Sequence, residues 1–205
     1  MSTATPTQVE FWFDPSCPFT WATSRWAREV ADGGAAQVHW KVMSLGILNE
    51  GAEIPEQYRE AMNQAARMLR VLAAVHGQEG PDGGSAAVGR LYQALGRRLH
   101  DEGRSGDPDV VTEALEEAGL PATLAAAADD EAFDAEVRRS HEESQARVGD
   151  DAGSPVTAYD GGPAYFGPVV APAPTGEQAR TLLTAMTALS AVPAFAEIKR
   201  SRGAL

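Results

Sequence analysis

The stretch FWFDPSCPFTWATSRWAREV, residues 11–30, constrains this chain more than any other. It begins as an apolar run with the look of a buried strand, breaks at Asp14-Pro15-Ser16, and turns helical after Cys17-Pro18. Pro18 suits the first helical turn because its missing N–H would have no partner there. Trp21, Arg25, Trp26 and Val30 recur at helical spacing until Gly33-Gly34 stops the helix. A strand at 8–13 before this helix and another at 38–43 (VHWKVM) after it make a βαβ unit with a thiol at its first junction.

That thiol is the only cysteine in the chain. A thiol attacks as thiolate, and free cysteine has a pKa near ~8.5. A helix start offers unpaired N–H groups and the positive end of the macrodipole, so Cys17 is expected to have a lowered pKa. The plain alternative is a small buried hydrophobe.

Beyond the second strand, residues 45–55 read as a loop. Tyr58, Met62, Ala65, Leu69 and Leu72 mark one helical face, and Val88, Leu91, Tyr92, Leu95 and Leu99 mark another. The glycine-rich stretch 77–85 between them reads as a loop. Asp107-Pro108 is read as an N-cap with proline at the first helical position, and Gly119 as the end of that helix. A short helix is expected at 121–128 and a longer one striped by Phe133, Val137, His141, Ser144 and Val148. Residues 155–159 and 164–166 flank Asp160-Gly161-Gly162 as a hairpin. Thr175 caps a helix running through Leu189, and residues 193–200 are expected to add a short one. The predicted order is βαβ, helices, ββα, with no strand between about 46 and 153 and no internal repeat.

Composition removes several functional classes. A formal charge of −12 argues against nucleic acid, because phosphates require a basic footprint. No apolar run nears the roughly 18 residues that span a bilayer, and MSTATPTQVEFWF carries neither a basic leader nor an apolar core, so neither a membrane nor a secretory signal is expected. The expected location is cytoplasmic, where a lone thiol stays free or forms transient mixed disulfides. No His, Cys, Asp or Glu spacing suggests a metal site. No Walker or Rossmann glycine motif stands in context for a nucleotide.

Cys17-Pro18-Phe19-Thr20 after the first strand, the helical middle, and Gly153-Ser154-Pro155-Val156 opening a late strand resemble the DsbA-like branch of the thioredoxin superfamily. With VMSLGILNE, PEQYREAM, GRRLHDEG and AYFGPV added, the chain is similar to the cytosolic mycothiol-dependent reductases, a group that includes mycothiol-dependent nitroreductases. The resemblance implies an α/β thioredoxin-like fold with an inserted all-helical subdomain: 1–50 and 150–205 as the thioredoxin-like domain, 51–149 as the insertion. It also implies that Pro155 is the cis-proline facing the thiol. Catalytic roles fall on Cys17, Pro18, Thr20 and Pro155, and substrate contacts on Phe19, Asn49, Tyr58 and Ser154. No tightly bound cofactor is implied. Mycothiol or another low-molecular-weight thiol is the cosubstrate, and the partner is a small-molecule or protein disulfide, with a homodimer left open.

Such proteins usually carry Cys-Pro-x-Cys, and here Thr20 occupies the fourth position. An internal disulfide is ruled out, so an external thiol must resolve any mixed disulfide. Thr20 either donates its hydroxyl to the sulfur or merely caps the first turn. His100 reads as a helix-end histidine, with a proton-donor role as the alternative, while His39 and His141 read as structural or surface residues. Two other functions stay open: a thiol transferase or isomerase of the kappa-class glutathione transferase and 2-hydroxychromene-2-carboxylate isomerase type, and a redox-inactive binding protein.

Overall fold

A computed structural model describes residues 5–53 and 55–201. Its centre is a four-stranded sheet in the order β2-β1-β3-β4. The apolar alternation of the first segment becomes β1 (Thr7–Phe13), with α1 (Pro18–Asp32) leading to β2 (Ala36–Val42). β2 runs parallel to β1, pairing Phe11 with Trp40. On its other side β1 takes β3 (Val156–Tyr159) antiparallel, and β3 takes β4 (Ala164–Phe166) antiparallel.

Period-two alternation sends Val9, Phe11 and Phe13 to one face, where they meet Trp26, Ala27 and Val30 of α1 and a large apolar cluster. Trp12 goes to the other face with Met43, Val156 and Ala158. There its ring lies 4.7 Å from Lys41 Nζ and 5.2 Å from the Arg147 guanidinium. Both cations donate to Glu10, at 2.8 and 2.6 Å. Burial works to raise the Glu10 carboxyl, but those bonds outweigh it and hold the group below the ordinary range.

Between β2 and β3 lie only helices and turns among the described residues. The stretch expected to be a loop at 45–55 opens with a short helix, α2 (Leu45–Leu48), because Ser44 Oγ accepts the Ile47 N–H and caps it. The two helical faces expected on either side of a glycine-rich loop belong to one helical span, α3 (Glu56–Gly96). That span is not straight. A Cβ built on Gly84 would meet the His76 carbonyl oxygen at 2.5 Å. Eight residues of straight helix would separate those two positions by about 12 Å. The helix therefore bends sharply between His76 and Gly84 instead of ending there.

A π-helical turn follows at Arg97–Asp101. α4 (Val110–Glu117) starts later than expected: Asp109 is its N-cap, and Asp107 accepts the Asp109 N–H in a turn before it. A 3₁₀ segment (Ala122–Asp129) and α5 (Asp134–Val148) complete the helical stretch. Residues of α3, α4, the 3₁₀ segment and α5 share one apolar cluster with the sheet. After the hairpin comes α6 (Gly176–Ser190), tied to α1 by a hydrogen bond from Trp26 Nε1 to the Ala179 carbonyl at 3.0 Å. No helix forms at 193–200, where the chain is exposed and Ile198 has no surface to pack against. No helix among the described residues is long and apolar enough to cross a membrane.

Candidate active site

The site is built where β1 hands over to α1. Phe13 is the last residue of the strand, and the next three turn the chain through an Asp-Pro-Ser corner. Asp14 is fully buried, and its carboxylate accepts three hydrogen bonds: from Ser16 N (2.8 Å), Ser16 Oγ (2.6 Å) and Leu45 N (2.7 Å). It therefore locks the corner and ties it to α2. Burial pushes the Asp14 carboxyl up, with the Ser16 and Leu45 bonds pulling against it. From the other side, His100 Nε2–H donates to the Pro15 carbonyl at 2.9 Å. His100 arrives there because the π-turn after α3 swings it toward the corner, where it stacks on Trp21. Burial holds its imidazole below the ordinary range, with the Pro15 bond opposing.

Cys17 is the N-cap of α1, with Pro18 in the first turn. It is partly exposed, and its Sγ donates to the Ser154 carbonyl oxygen at 3.7 Å. The Ser154–Pro155 peptide bond is cis. Ser154 Oγ accepts the Asp14 N–H at 3.0 Å and lies 2.7 Å from Thr20 Oγ1. With one lone pair engaged by Asp14, the Ser154 hydroxyl can give its proton to Thr20. The Thr20 hydroxyl is then free to donate to the Cys17 sulfur, an interaction that favours thiolate.

The expected lowering of the Cys17 pKa is not what this geometry produces. Burial pushes the thiol above its ordinary value, and the buried Asp14 carboxylate adds to the push. Hydrogen bonds from the Thr20 hydroxyl and from the Thr20 and Phe19 N–H groups pull the other way without prevailing. The helix-start argument named the stabilising donors correctly but left out desolvation, which is the larger effect.

Of the residues singled out in sequence, Cys17, Thr20, Ser154 and Pro155 converge, with exposed Pro18 and half-buried Phe19 on the rim. Asn49 is the C-cap of α2, and its Nδ2 donates to the Leu45 carbonyl at 2.7 Å. It joins the corner only through Leu45 and Asp14. Tyr58 is 54% exposed on the first turn of α3, and no hydrogen bond or ring contact among the described residues joins it to Cys17. Asp14 and the His100 contact were not singled out. Asp-Pro-Ser is a turn signature that could have pointed to Asp14. Nothing local marks His100, whose partner lies 85 residues away.

A sheet of this order with a thiol heading its first helix and an X-Pro bond opposite is a thioredoxin-like fold of the DsbA-like kind. A family model described as the Rv2466c-like mycothiol-dependent nitroreductase matches residues 16–200, and the chain belongs to that family. It is 30% identical over 198 residues to the uncharacterized protein Rv2286c of Mycobacterium tuberculosis, covering 96% of this chain and 83% of that protein. Among solved structures it is similar to a DsbA oxidoreductase, SCO1869 of Streptomyces coelicolor, so described as probable, with TM-score 0.59 and 17% identity over 97% of this chain and 93% of the other. It is also similar to a 2-hydroxychromene-2-carboxylate isomerase, with TM-score 0.55 and 13% identity over 74% and 84% of the two chains. At these identities the structural likenesses establish the fold.

Proposed function

We propose that this protein is a cytoplasmic thiol-dependent oxidoreductase in which Cys17 is the nucleophile and mycothiol the cosubstrate. The observation that carries the reading is the partly exposed sulfur at the head of α1, with the Thr20 and Ser154 hydroxyls in series beside it. Family membership supports mycothiol as the thiol.

In the cycle, Cys17 loses its proton and its thiolate attacks the mycothiol sulfur of a mixed disulfide. That bond breaks, and the substrate leaves as a thiolate that takes up a proton. A second mycothiol thiolate then attacks the mycothiol sulfur on Cys17, forming mycothiol disulfide and returning the Cys17 thiolate. Thr20 steadies the thiolate at both stages. Phe19, Asn49, Tyr58 and Ser154 are assigned to the substrate side, with Pro18 and Pro155 shaping the approach to sulfur. Reduction of a nitro group is the narrower version. Each two-electron step then consumes two mycothiols, because the protein has one thiol to contribute.

Intact-mass spectrometry of the reduced protein after incubation with mycothiol disulfide tests this. One adduct on Cys17 is expected, reversed by excess mycothiol. Cys17→Ser should take up none and lose thiol-dependent turnover, and Thr20→Cys should form an internal disulfide. Full turnover in Cys17→Ser would overturn the proposal. The same result would favour a second reading that the raised thiol and the hydroxyl pair support: a transferase or isomerase that activates a bound thiol without a covalent bond to the protein.

A further inference from the structure

A cleft of about 420 Å³ lies between α1 and the end of α3, with Trp21 in its wall. Helical spacing builds it: Trp21, Arg25 and Arg28 project from one turn after another of α1, Arg90 and Gln93 do the same from α3, and Arg97 follows from the start of the π-turn. Four of the chain's 17 basic residues thus face one cleft, in a protein whose net charge is −12.

The carboxylates within reach are already engaged. Asp101 accepts Trp21 Nε1 at 2.9 Å, and Glu117 is shared by Arg97 and Arg98. Arg25 and Arg28 form only long ion pairs, each at 3.7 Å, with Asp101 and Asp32 respectively, and neither pair is within hydrogen-bond distance. The Arg90 guanidinium gives one donor to the Ala118 carbonyl and meets no carboxylate among the described residues. Gln93 Nε2 is buried without a hydrogen-bond partner. Three guanidinium forks and an amide therefore keep donors unspent around a space of small-molecule size.

We propose that this cleft binds a small polyanion, a molecule carrying phosphate or carboxylate groups, at a site separate from Cys17. The arginines of the two helices clasp the anionic groups from opposite walls, and the Trp21 indole forms the apolar end. None of the residues lining it belongs to the Cys17, Thr20 and Ser154 cluster.

Calorimetric titration of the full chain with pyrophosphate and, separately, with citrate tests the site. Saturable binding of either that weakens as sodium chloride is raised is expected, and the tighter of the two names the anion class. The double variant Arg25→Gln/Arg28→Gln alters exposed side chains and should melt like the parent, with affinity reduced about ten-fold or more. Arg90→Gln should weaken binding from the opposite wall. Absence of saturable binding of both anions, or affinity unchanged in both variants, would overturn the proposal.

Discussion

At Cys17 two hydrogen-bond arrangements compete, and each belongs to a different protonation state. The thiol donates to the Ser154 carbonyl, which favours the neutral sulfur; the thiolate must give up that bond and accept from Thr20. Replacing Thr20 by valine removes the side-chain hydroxyl that can donate to sulfur while leaving the carbonyl in place. A hydrogen bond to a charged acceptor is worth about 1.5–3 kcal/mol, so alkylation of Thr20→Val at pH 7 should slow about ten-fold. Ser154→Ala should slow it less, because the Thr20 proton can still reach sulfur without its neighbour. The pH dependence of iodoacetamide labelling measures both, and an unchanged rate in Thr20→Val would remove Thr20 from the thiolate's hydrogen bonding.

Helix α3 and the π-turn after it pack directly against the aromatic rings of the sheet and of α1. A Cβ on Gly96 would collide with the Trp21 ring, and a Cβ on Gly89 with Trp40, so the helix lies against the aromatic rings only because both positions are glycine. Trp21 cannot swing aside: Asp101 holds its Nε1 and His100 stacks on its face. Gly96→Ala is therefore expected to destabilise the fold by about 1–3 kcal/mol, as overpacking does. Gly77→Ala, where an added Cβ meets nothing within 4 Å, should instead stabilise by a few tenths to about 1 kcal/mol through helix propensity. Urea midpoints of the two variants should move in opposite directions, and a neutral Gly96→Ala would show that the rings can yield. The same elements mark what a sequence can disclose. Period-two alternation at Val9, Phe11 and Phe13 was legible as strand and face, and Cys17-Pro18 as a helix start. Gly77 to Ser85 was not legible as helix, because local glycine content argues for a loop and only packing on both sides of the bend decides otherwise. Asp14 and the contact that His100 makes escaped for a related reason: their partners are Leu45 and Pro15, which no local pattern encodes.

For the molecule as a whole, two imidazoles, the buried His141 and the partly buried His100, govern behaviour in mild acid. Burial holds both His100 and His141 below the ordinary value of 6.5. As pH falls through that value the unfolded chain takes up protons that the folded one resists, so the stability present above it is lost. Asp14 acts in the opposite sense, since its raised carboxyl gains relative stability as it protonates at lower pH. Below the ordinary carboxylate range Glu113, held at about 2 by Arg104 and Arg98, adds to the acid loss. The urea midpoint should fall between pH 7.5 and 5.5, and His141→Gln should flatten that slope. A level profile across this range would contradict the assignment. The sheet also fixes an order of events during synthesis. β1 and the Cys17 corner emerge early, yet the residue that completes them, Ser154, lies 140 positions after Asp14. A nascent chain lacking β3 leaves one edge of β1 unpaired and Cys17 without the Ser154 carbonyl and hydroxyl that face it when folded. The surroundings of Cys17 are thus among the last parts to be assembled, and a product truncated before β3 would retain the thiol while lacking the groups that restrain it.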